Sequence, residues 1–322
     1  MLTATRSLLA LDAFVVSIFV AMGLGLLLPP PAGAARPLEL AVTIGIGLLF
    51  FGYGARLATG EVVRGATSWR LQLAVVVFTF GFFPVLGVVL YSVLGPWLGS
   101  GLAAGFLYLC LVPSTMQAAV SFTSIAGGDV AASVVASTLS NVVGVFVTPV
   151  LALALLPAAR ADGLSLAPLI PIVVGLVLPF LAGQLVRPVL RDVVDAHAKK
   201  LATYDKVVVV VVVYAAFGQG RRFMTELSAM QTTAVIAISL ALLVTVFAAA
   251  LAAGRGLGFT RGERIALLFC GSKKSLISGM PIAAALFPAG VLGVVVFPLV
   301  VFHQIQLVVA AQLARRMQLQ GG

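Results

Sequence analysis

Two adjacent lysines, Lys273 and Lys274, lie in the stretch GSKKSLISG at residues 271–279, with mainly apolar residues on both sides. Each lysine at the centre of a membrane helix costs roughly 2.5–3.5 kcal/mol on insertion scales, so the pair requires a compensating environment. We predict an interrupted helix at Gly271, Ser272, Lys273, Lys274 and Ser275, with Ser272 or Ser275 capping the helix that follows. The alternative is a membrane span that begins near Ser275 and leaves both lysines in a flanking loop.

A second interruption is predicted at Pro113, Ser114, Thr115, Met116 and Gln117, inside another apolar stretch. Pro113 has no backbone N–H and frees a carbonyl group, and Ser114 and Gln117 have the spacing of a capping box. The N-terminus of the helix that follows carries unpaired N–H groups and partial positive charge, which favour an anion. The alternative is a proline kink whose free carbonyl is satisfied by neighbouring helices.

The apolar segment after residue 129 carries a stripe of polar side chains. Ser133, Ser137 and Asn141 are spaced i, i+4 and i+8, and Ser140 precedes Asn141, so on a helix they share one face. Such stripes commonly join helices in membranes. The second interpretation is a polar face that supports the two interruptions.

His303, with Gln304 and Gln306 in the same last apolar stretch, is predicted either to pack as a polar group or to form a proton-sensitive lining of the tenth span. Catalytic chemistry has little support, because His197 and His303 are far apart and no HExxH motif occurs. Lys274 and Ser275 do not complete a phosphate-binding loop, since residue 266 is alanine where that motif needs glycine. We therefore predict neither an enzyme nor a cofactor-binding protein.

These residues must be positioned by membrane helices. The chain of 322 residues is 61% hydrophobic and 9% charged, with a mean hydropathy of +1.17, which indicates one all-α membrane domain over residues 1–322. Its basic residues fall in short segments between apolar runs, which argues against nucleic acid as a partner. Ten membrane spans are predicted, at about 8–29, 38–58, 70–94, 101–126, 130–157, 165–187, 203–219, 230–253, 262–287 and 289–313.

The predicted topology has two similar halves. Most lysines and arginines outside the spans fall on the side that holds both termini, which predicts cytoplasmic termini and a cell inner-membrane location. Each half has five spans, so the second enters the membrane in the inverted direction, and each interrupts its fourth span. Paired interrupted helices in inverted halves are typical of secondary transporters that bind substrate near the bilayer midplane.

Several of these motifs resemble the bile acid:sodium symporter family, and within it the YfeH-like branch. The likeness rests on LVPSTMQ at residues 111–117, SFTSIAGGDVAA at residues 121–132 and CGSKKSL at residues 270–276. The resemblance implies two inverted five-helix repeats in which broken helices 4 and 9 cross. It also implies a panel subdomain, about 8–58 and 165–219, that moves against a core subdomain, about 70–157 and 230–313.

The chain departs from sodium-coupled members of that family at both interruptions. A Ser-Asn pair of those members falls here among Ala118, Ala119 and Val120, and their acidic stretch falls near Lys273 and Lys274. The resemblance implies that the span-5 hydroxyls of those members are kept here as Ser133 and Ser137, which leaves a weak sodium site near these two residues. Sodium sites need several oxygen ligands and usually a carboxylate, which makes sodium coupling doubtful. We expect one lysine ammonium to occupy the space of a sodium ion, hydrogen-bonded by Ser133, Ser137 and freed carbonyls, with coupling to protons or to no ion.

The sequence therefore predicts a secondary active transporter that moves an organic anion, bile-acid-like or a small carboxylate, by alternating access. Its partners are the small anion, the lipid bilayer and Na⁺ or H⁺ as coupling ion. The oligomeric state is left open, with a monomer as the simplest case. The alternative function is a membrane regulator or scaffold that keeps the fold but transports nothing.

Overall fold

A computed structural model describes residues 13–57, 68–156 and 173–320, and these residues form helices and short connections without a β-strand. The helices in chain order are α1 Ala13–Leu27, α2 Ala32–Arg56, α3 Trp69–Leu98, α4 Ser100–Leu111, α5 Gln117–Ile125, α6 Val130–Leu155, α7 Leu178–Ala196, α8 Ala198–Gln219, α9 Arg221–Thr225, α10 Ala229–Gly256, α11 Arg261–Gly271, α12 Leu276–Leu286 and α13 Ala289–Leu319. A π-helical turn, Phe78–Phe82, lies within α3, and another, Val173–Val177, leads into α7.

Within the described residues, seven helices are long and apolar enough to cross a membrane: α2, α3, α6, α7 with its π-turn, α8, α10 and α13. The helix α1 is shorter, and five residues of the first predicted span lie outside the described residues. The predicted fourth and ninth spans are each a pair of short helices, α4 with α5 and α11 with α12. The chain is therefore an all-helical, multi-pass membrane protein.

The connection between the sixth and seventh predicted spans differs from the prediction. A loop was expected between residues 187 and 203, but α7 continues to Ala196 and α8 begins at Ala198. The exposed side chains of Arg191 and Asp195 approach to 3.8 Å one helical turn apart, a pairing that supports helix in water. Apolarity defines only the part of a helix inside the hydrocarbon, so solvated final turns escape a hydropathy count.

The helices pack in two groups. The helices α1, α2, α7 and α8 contact one another, and α3 to α6 pack with α10 to α13. The two groups meet mainly where α8 contacts α12 and α13. The first group contains the helices of the predicted panel and the second those of the predicted core, while their movement as separate units stays a prediction.

The helices α2 and α7 approach so closely that their backbones touch. A Cβ atom on Gly54 would collide with the carbonyl oxygen of Phe180, and one on Gly183 would collide with that of Phe51. Glycine at both positions removes the side chains that would separate the helices, as is common between membrane helices. This reciprocal contact fixes the distance between α2 and α7.

An ion pair ties α2 to α8 near the same end of the bundle. The Arg56 guanidinium donates from Nη1 and Nη2 to the two carboxylate oxygens of Asp205, at 2.8 and 2.9 Å, and lies 5.1 Å from the centre of the Tyr53 ring. A bidentate arginine–carboxylate pair constrains both distance and orientation. It therefore holds α8 in register with α2.

Gly183→Ala should lower the thermal unfolding midpoint, because the added methyl must push α7 away from the α2 backbone, at a cost of about 1–3 kcal/mol. Gly23→Ala in α1 is the matched control, since nothing lies within 4 Å of its added methyl group. A thiol-reactive fluorogenic dye can report unfolding, because Cys110 and Cys270 are free and buried. Equal midpoints for the two variants would contradict the close contact.

Candidate functional site

The two interruptions meet inside the protein. The helix α4 ends at Leu111 and α5 begins at Gln117, while α11 ends at Gly271 and α12 begins at Leu276. The backbone N–H of Ser275 in one interruption donates to the carbonyl oxygen of Pro113 in the other, at 2.8 Å. The carbonyl that Pro113 was predicted to free is therefore satisfied by the second interrupted segment.

Both lysines of the second interruption are completely buried. Lys273 and Lys274 expose none of their surface, and α12 ends at Leu286 before α13 begins at Ala289. The alternative of a single long span with lysines in a flanking loop is therefore wrong. Both lysines lie between the end of α11 and the start of α12.

The Lys274 ammonium lies in a cage of backbone carbonyl groups. Its Nζ donates to the carbonyl oxygens of Thr79 at 3.1 Å, Cys110 at 2.9 Å and Val112 at 2.9 Å, and it lies 4.0 Å from the centre of the Phe83 ring. Three carbonyl oxygens match the three N–H donors of an ammonium group, and the ring face adds a cation–π contact. Every donor of this buried cation therefore has a partner.

The carbonyl oxygen of Thr79 is free to accept because of the π-turn in α3. The Phe83 N–H donates to Phe78 rather than to Thr79. The residue that would serve Thr79 in the π pattern is Pro84, which has no N–H. The π-turn thus leaves one carbonyl oxygen for the lysine, in keeping with the frequent occurrence of such turns at functional sites.

The carbonyl oxygens of Cys110 and Val112 come from the end of α4, where the helical hydrogen-bond pattern stops. The N–H of Ser114, which would have bonded Cys110 in a continuous helix, donates instead to Ser140 Oγ at 3.1 Å. The Thr148 hydroxyl donates to the carbonyl oxygen of Leu111 at 2.8 Å, so the carbonyl between these two is also occupied. The interruption of α4 therefore supplies the other two oxygens of the cage.

Gln306 on α13 supports the Lys274 backbone. Its Oε1 accepts from the Lys274 N–H at 2.9 Å, and its Nε2 donates to the Lys274 carbonyl at 2.7 Å. Nε2 also lies 2.8 Å from His303 Nδ1, so the two amide hydrogens can go to Lys274 and His303, with Nδ1 as acceptor. Lys274 lies outside a helix, so its backbone N–H and carbonyl have no helical partners. The Gln306 side-chain amide provides those two hydrogen bonds instead.

The Lys273 ammonium has a different environment. Its Nζ lies 3.5 Å from the centre of the Phe122 ring and 5.3 Å from that of Phe269, and no hydrogen-bond acceptor reaches it within the described residues. The two ammonium groups share none of these contacts, since Lys273 lies between α5 and α11 and Lys274 beside α3 and α4. The two adjacent lysines therefore have different immediate surroundings.

The polar stripe of α6 joins the interruptions. Ser140 accepts from the Ser114 N–H, and Asn141 Nδ2 donates to the Ser114 carbonyl at 3.1 Å. Asn141 Oδ1 accepts from the Ser278 hydroxyl on α12 at 2.7 Å. One asparagine side chain thus contacts both broken helices.

Ser133 and Ser137, at the other end of the stripe, do not contact a lysine. The Ser133 hydroxyl contacts Thr123 Oγ1 at 3.1 Å and donates to the Asp129 carbonyl at 2.9 Å, and Ser137 Oγ lies 3.5 Å from Cys270 Sγ. Of the expected partners of a lysine ammonium, these two hydroxyls are therefore wrong, whereas freed backbone carbonyls do surround Lys274.

The caps of the broken helices are only partly as predicted. Ser275 is the N-cap of α12 and accepts from the Ser278 N–H at 3.1 Å, whereas Ser272 is the C-cap of α11 and donates to the Leu268 carbonyl. No side chain caps α5, whose N-cap is Met116, so the predicted capping box of Ser114 and Gln117 is wrong. The buried hydroxyl groups of Ser114 and Thr115 find no partner within the described residues.

The remaining predicted site residues differ in exposure. Gln117 is exposed, His303 is buried against Lys274, and Gln304 is half-buried with an Nε2 atom that has no partner in the described part of the chain. Gly271 ends α11 in contact with the Phe78 ring. Only part of the predicted set therefore surrounds the lysines.

Sequence reasoning missed four residues that contact the lysines: Thr79, Phe83, Phe122 and Phe269. It named Gln306 beside His303, because a glutamine in an apolar span requires a partner, but not its contact with the Lys274 backbone. The phenylalanines carried no signal, since they do not differ from other apolar residues of a membrane helix. Thr79 acts through its backbone, which its residue type does not reveal.

Two interrupted helices meet inside this multi-pass helical bundle, with polar and charged groups at their contact. This arrangement is typical of membrane transporters. The sequence model of the SBF-like CPA transporter family matches residues 12–319. The putative symporter YfeH of Escherichia coli is 38% identical over 308 residues, which cover 95% of this chain and 92% of that protein. The sodium/bile acid cotransporter 7 of Mus musculus is 27% identical over 316 residues, covering 93% of this chain and 90% of that protein.

An uncharacterized protein of Pseudomonas aeruginosa is also 38% identical, over 312 residues that cover 95% of this chain and 92% of the relative. The chain belongs to the SBF-like CPA transporter family, and the predicted resemblance is confirmed. Its relatives are named as symporters and cotransporters, so the chain is a transporter and not an enzyme.

Replacement of either lysine by methionine should separate their roles in stability. Lys274→Met leaves three buried carbonyl oxygens without a donor and should cost at least about 2 kcal/mol. Lys273→Met keeps the side-chain volume and removes a buried charge without a hydrogen bond, so its unfolding midpoint should equal or exceed that of the wild type. The measurement is thermal unfolding of both variants in one detergent, and equal losses would contradict the carbonyl cage.

Gln306→Leu should destabilise the protein, because the Lys274 N–H and carbonyl then lose their partner in a buried position, at about 1–3 kcal/mol per unsatisfied group. Gln304→Leu, two residues away on α13, is the control, since it removes an amide nitrogen that has no partner. The same unfolding assay measures both. A loss for Gln304→Leu as large as that for Gln306→Leu would exclude a specific role of the Gln306 amide.

Proposed function

We propose that the chain is a secondary active transporter that carries an organic anion, bile-acid-like or a small carboxylate, by alternating access. The observation that carries this proposal is the buried contact between two broken helices with two lysines in one of them. A fully buried pair of lysines is costly in a membrane protein and is typically kept for function. An anion is the solute whose charge such a site complements.

On this proposal the ten predicted spans form two inverted five-helix repeats, with α4–α5 and α11–α12 as broken fourth and ninth spans. The hydrogen bond between Ser275 and Pro113 supports a crossing of the two interruptions. The group of α3 to α6 and α10 to α13 would be the core, and α1, α2, α7 and α8 the panel. Rocking one against the other would open the site alternately to each side of the membrane.

The two lysines would have different roles in transport. Lys274 would be a fixed cation that holds the interruptions together, because its three donors are already satisfied. Lys273 would pair with the carboxylate of the substrate, because its ammonium contacts only ring faces and keeps its hydrogen-bonding capacity. The N-terminus of α5, which no side chain caps, would lie close enough to share the anion's charge.

The residues at the interruptions do not fit a coupling sodium ion. Sodium requires several oxygen ligands, but the carbonyl oxygens of Thr79, Cys110 and Val112 already accept from the Lys274 ammonium. The nearby Asp129 carboxylate caps α6 by accepting from the Ala132 N–H at 2.8 Å. We therefore propose that Lys274 replaces a coupling sodium ion, so that transport is coupled to protons or to no ion.

The proposal includes an inner-membrane location with both termini in the cytoplasm. The end of the bundle with Arg70, Arg255, Arg261 and Arg264 would then face the cytoplasm, as the positive-inside rule favours. A small organic anion and membrane lipids would be the partners, and a monomer is sufficient for a site built within one chain. A regulator or scaffold without transport is the outcome that uptake experiments would reveal if the proposal fails.

Uptake of labelled cholate and pantoate into proteoliposomes should be saturable, should show counterflow, and should proceed equally in sodium, potassium and choline salts. Lys273→Met should abolish uptake while its unfolding midpoint stays at the wild-type value. Lys199→Met is the matched control, because Lys199 is exposed in α8, and it should transport normally.

Uptake that requires sodium would overturn the replacement of sodium by Lys274 but leave the transporter proposal standing. Normal uptake by Lys273→Met would remove that lysine from the substrate site. Absence of uptake of both probes, together with absence of any stabilisation of the folded protein by organic anions, would favour the scaffold.

A further inference from the structure

We propose that a cavity between α3, α10 and α11 binds one acyl chain of an anionic glycerophospholipid, with the phosphate of its headgroup held by Arg70 and Arg255. This site is separate from the broken helices and goes beyond the proposed transport function. The ligand would be a structural or regulatory lipid, not the transported anion.

The cavity has about 260 Å³ and an apolar lining. Its walls come from three helices, through Ala74, Phe78 and Phe82 of α3, Ala249 and Ala253 of α10, and Leu267 of α11. From Ala74 to Phe82 the wall extends eight residues, or about 12 Å along the helix axis. Such a slot follows the direction of an acyl chain in a bilayer.

The cavity opens sideways to the outer surface of the bundle. Val77 and Leu257 on its rim are 56% and 43% exposed. In a membrane protein that surface faces lipid, so a chain can enter without passing through water. The small side chains of Ala249 and Ala253 leave the gap between α3 and α10 that the chain would fill.

Positive charge lies at one end of the cavity. Arg70 precedes Ala74 by one helical turn, and its Nη2 donates to the carbonyl oxygen of Leu257 at 3.1 Å, on the cavity rim. Its guanidinium also lies 5.9 Å from the centre of the Phe259 ring, which fixes its direction. Arg255 is exposed two residues before Leu257, and a pair of arginines at a pocket mouth suits a lipid phosphate.

Trp69 indicates the depth in the membrane of the cavity end beside Arg70. Its indole is 61% exposed beside Arg70 at the start of α3, and exposed tryptophan is enriched at the level of lipid headgroups. The neighbouring acidic group is Glu263, whose carboxylate is engaged by the N–H and hydroxyl of Thr260 at 2.9 and 2.8 Å. Arg264, packed beside Gly254, adds a further positive charge, so the cluster favours an anionic headgroup.

The test titrates purified protein with phosphatidylglycerol or phosphatidylcholine of identical acyl chains and measures binding of the first lipid by native mass spectrometry. Both lipids carry the phosphate, but the choline ammonium cancels its charge in phosphatidylcholine. Phosphatidylglycerol should therefore bind more tightly, by about five-fold for each arginine beside the headgroup. The double variant Arg70→Gln and Arg255→Gln should lose this preference. The control Arg315→Gln and Arg316→Gln removes two exposed arginines from α13 and should keep it.

The acyl-chain part is tested by Ala253→Phe, which fills the cavity, against Ala252→Phe, which places the same ring on the neighbouring exposed position. Only Ala253→Phe should weaken the binding of phosphatidylglycerol. Should Ala253→Phe itself reduce stability without lipid, Ala74→Leu on the opposite wall provides the same test. Equal affinities for the two lipids, or unchanged binding by the cavity-filling variants, would overturn the proposal.

Discussion

The Lys274 ammonium and its three carbonyl oxygens are the interaction on which the centre of the structure depends. A cation can be buried inside a membrane protein only when its donors are satisfied, and here the acceptors are backbone atoms of α3 and of the interrupted α4. Those acceptors exist because regular helix fails at both places: a π-turn followed by Pro84 frees Thr79, and the interruption after Leu111 frees Cys110 and Val112. The irregular backbone and the lysine thus satisfy each other, and neither would be stable in the membrane without the other.

The dependence of Lys274 on irregular backbone explains which parts of the fold and of the site could be predicted from the sequence. The interruptions were predictable, because a proline and two lysines in apolar segments each conflict with a continuous membrane helix. The cap by Ser275 followed from its residue type. Freed carbonyls were expected as partners of a lysine, but which carbonyls surround Lys274 was not predictable, because the π-turn at Phe78–Phe82 depends on packing. The prediction added the hydroxyls of Ser133 and Ser137 because their residue types are visible in the sequence, whereas unpaired carbonyls alone satisfy the ammonium.

The difference between adjacent lysines also arises from local geometry. Lys273 and Lys274 follow one another in the non-helical stretch between α11 and α12, and their side chains reach different neighbours. One reaches the end of α4 and the π-turn, while the other reaches the rings of Phe122 and Phe269. Gln306 fixes the backbone of Lys274 and thereby the direction of both side chains. The sequence presents two adjacent lysines of equal charge. In the fold, the Lys274 ammonium has a partner for each donor, whereas the Lys273 ammonium has no hydrogen-bond partner among the described residues.

A cation that is part of the chain has a consequence for energy coupling. A coupling ion performs work because it binds from one side of the membrane and leaves on the other, down its own gradient. An ammonium tethered at Lys274 can do neither, and a group bound equally in both conformations does not shift their equilibrium. While protonated, it would still lower the cost of bringing an anion into the membrane, because opposite charges attract strongly at low dielectric. If Lys274 replaces sodium, the free energy for accumulating substrate must come from a proton or from the substrate's own gradient, while the electrostatic contribution of the lost sodium ion is kept within the fold.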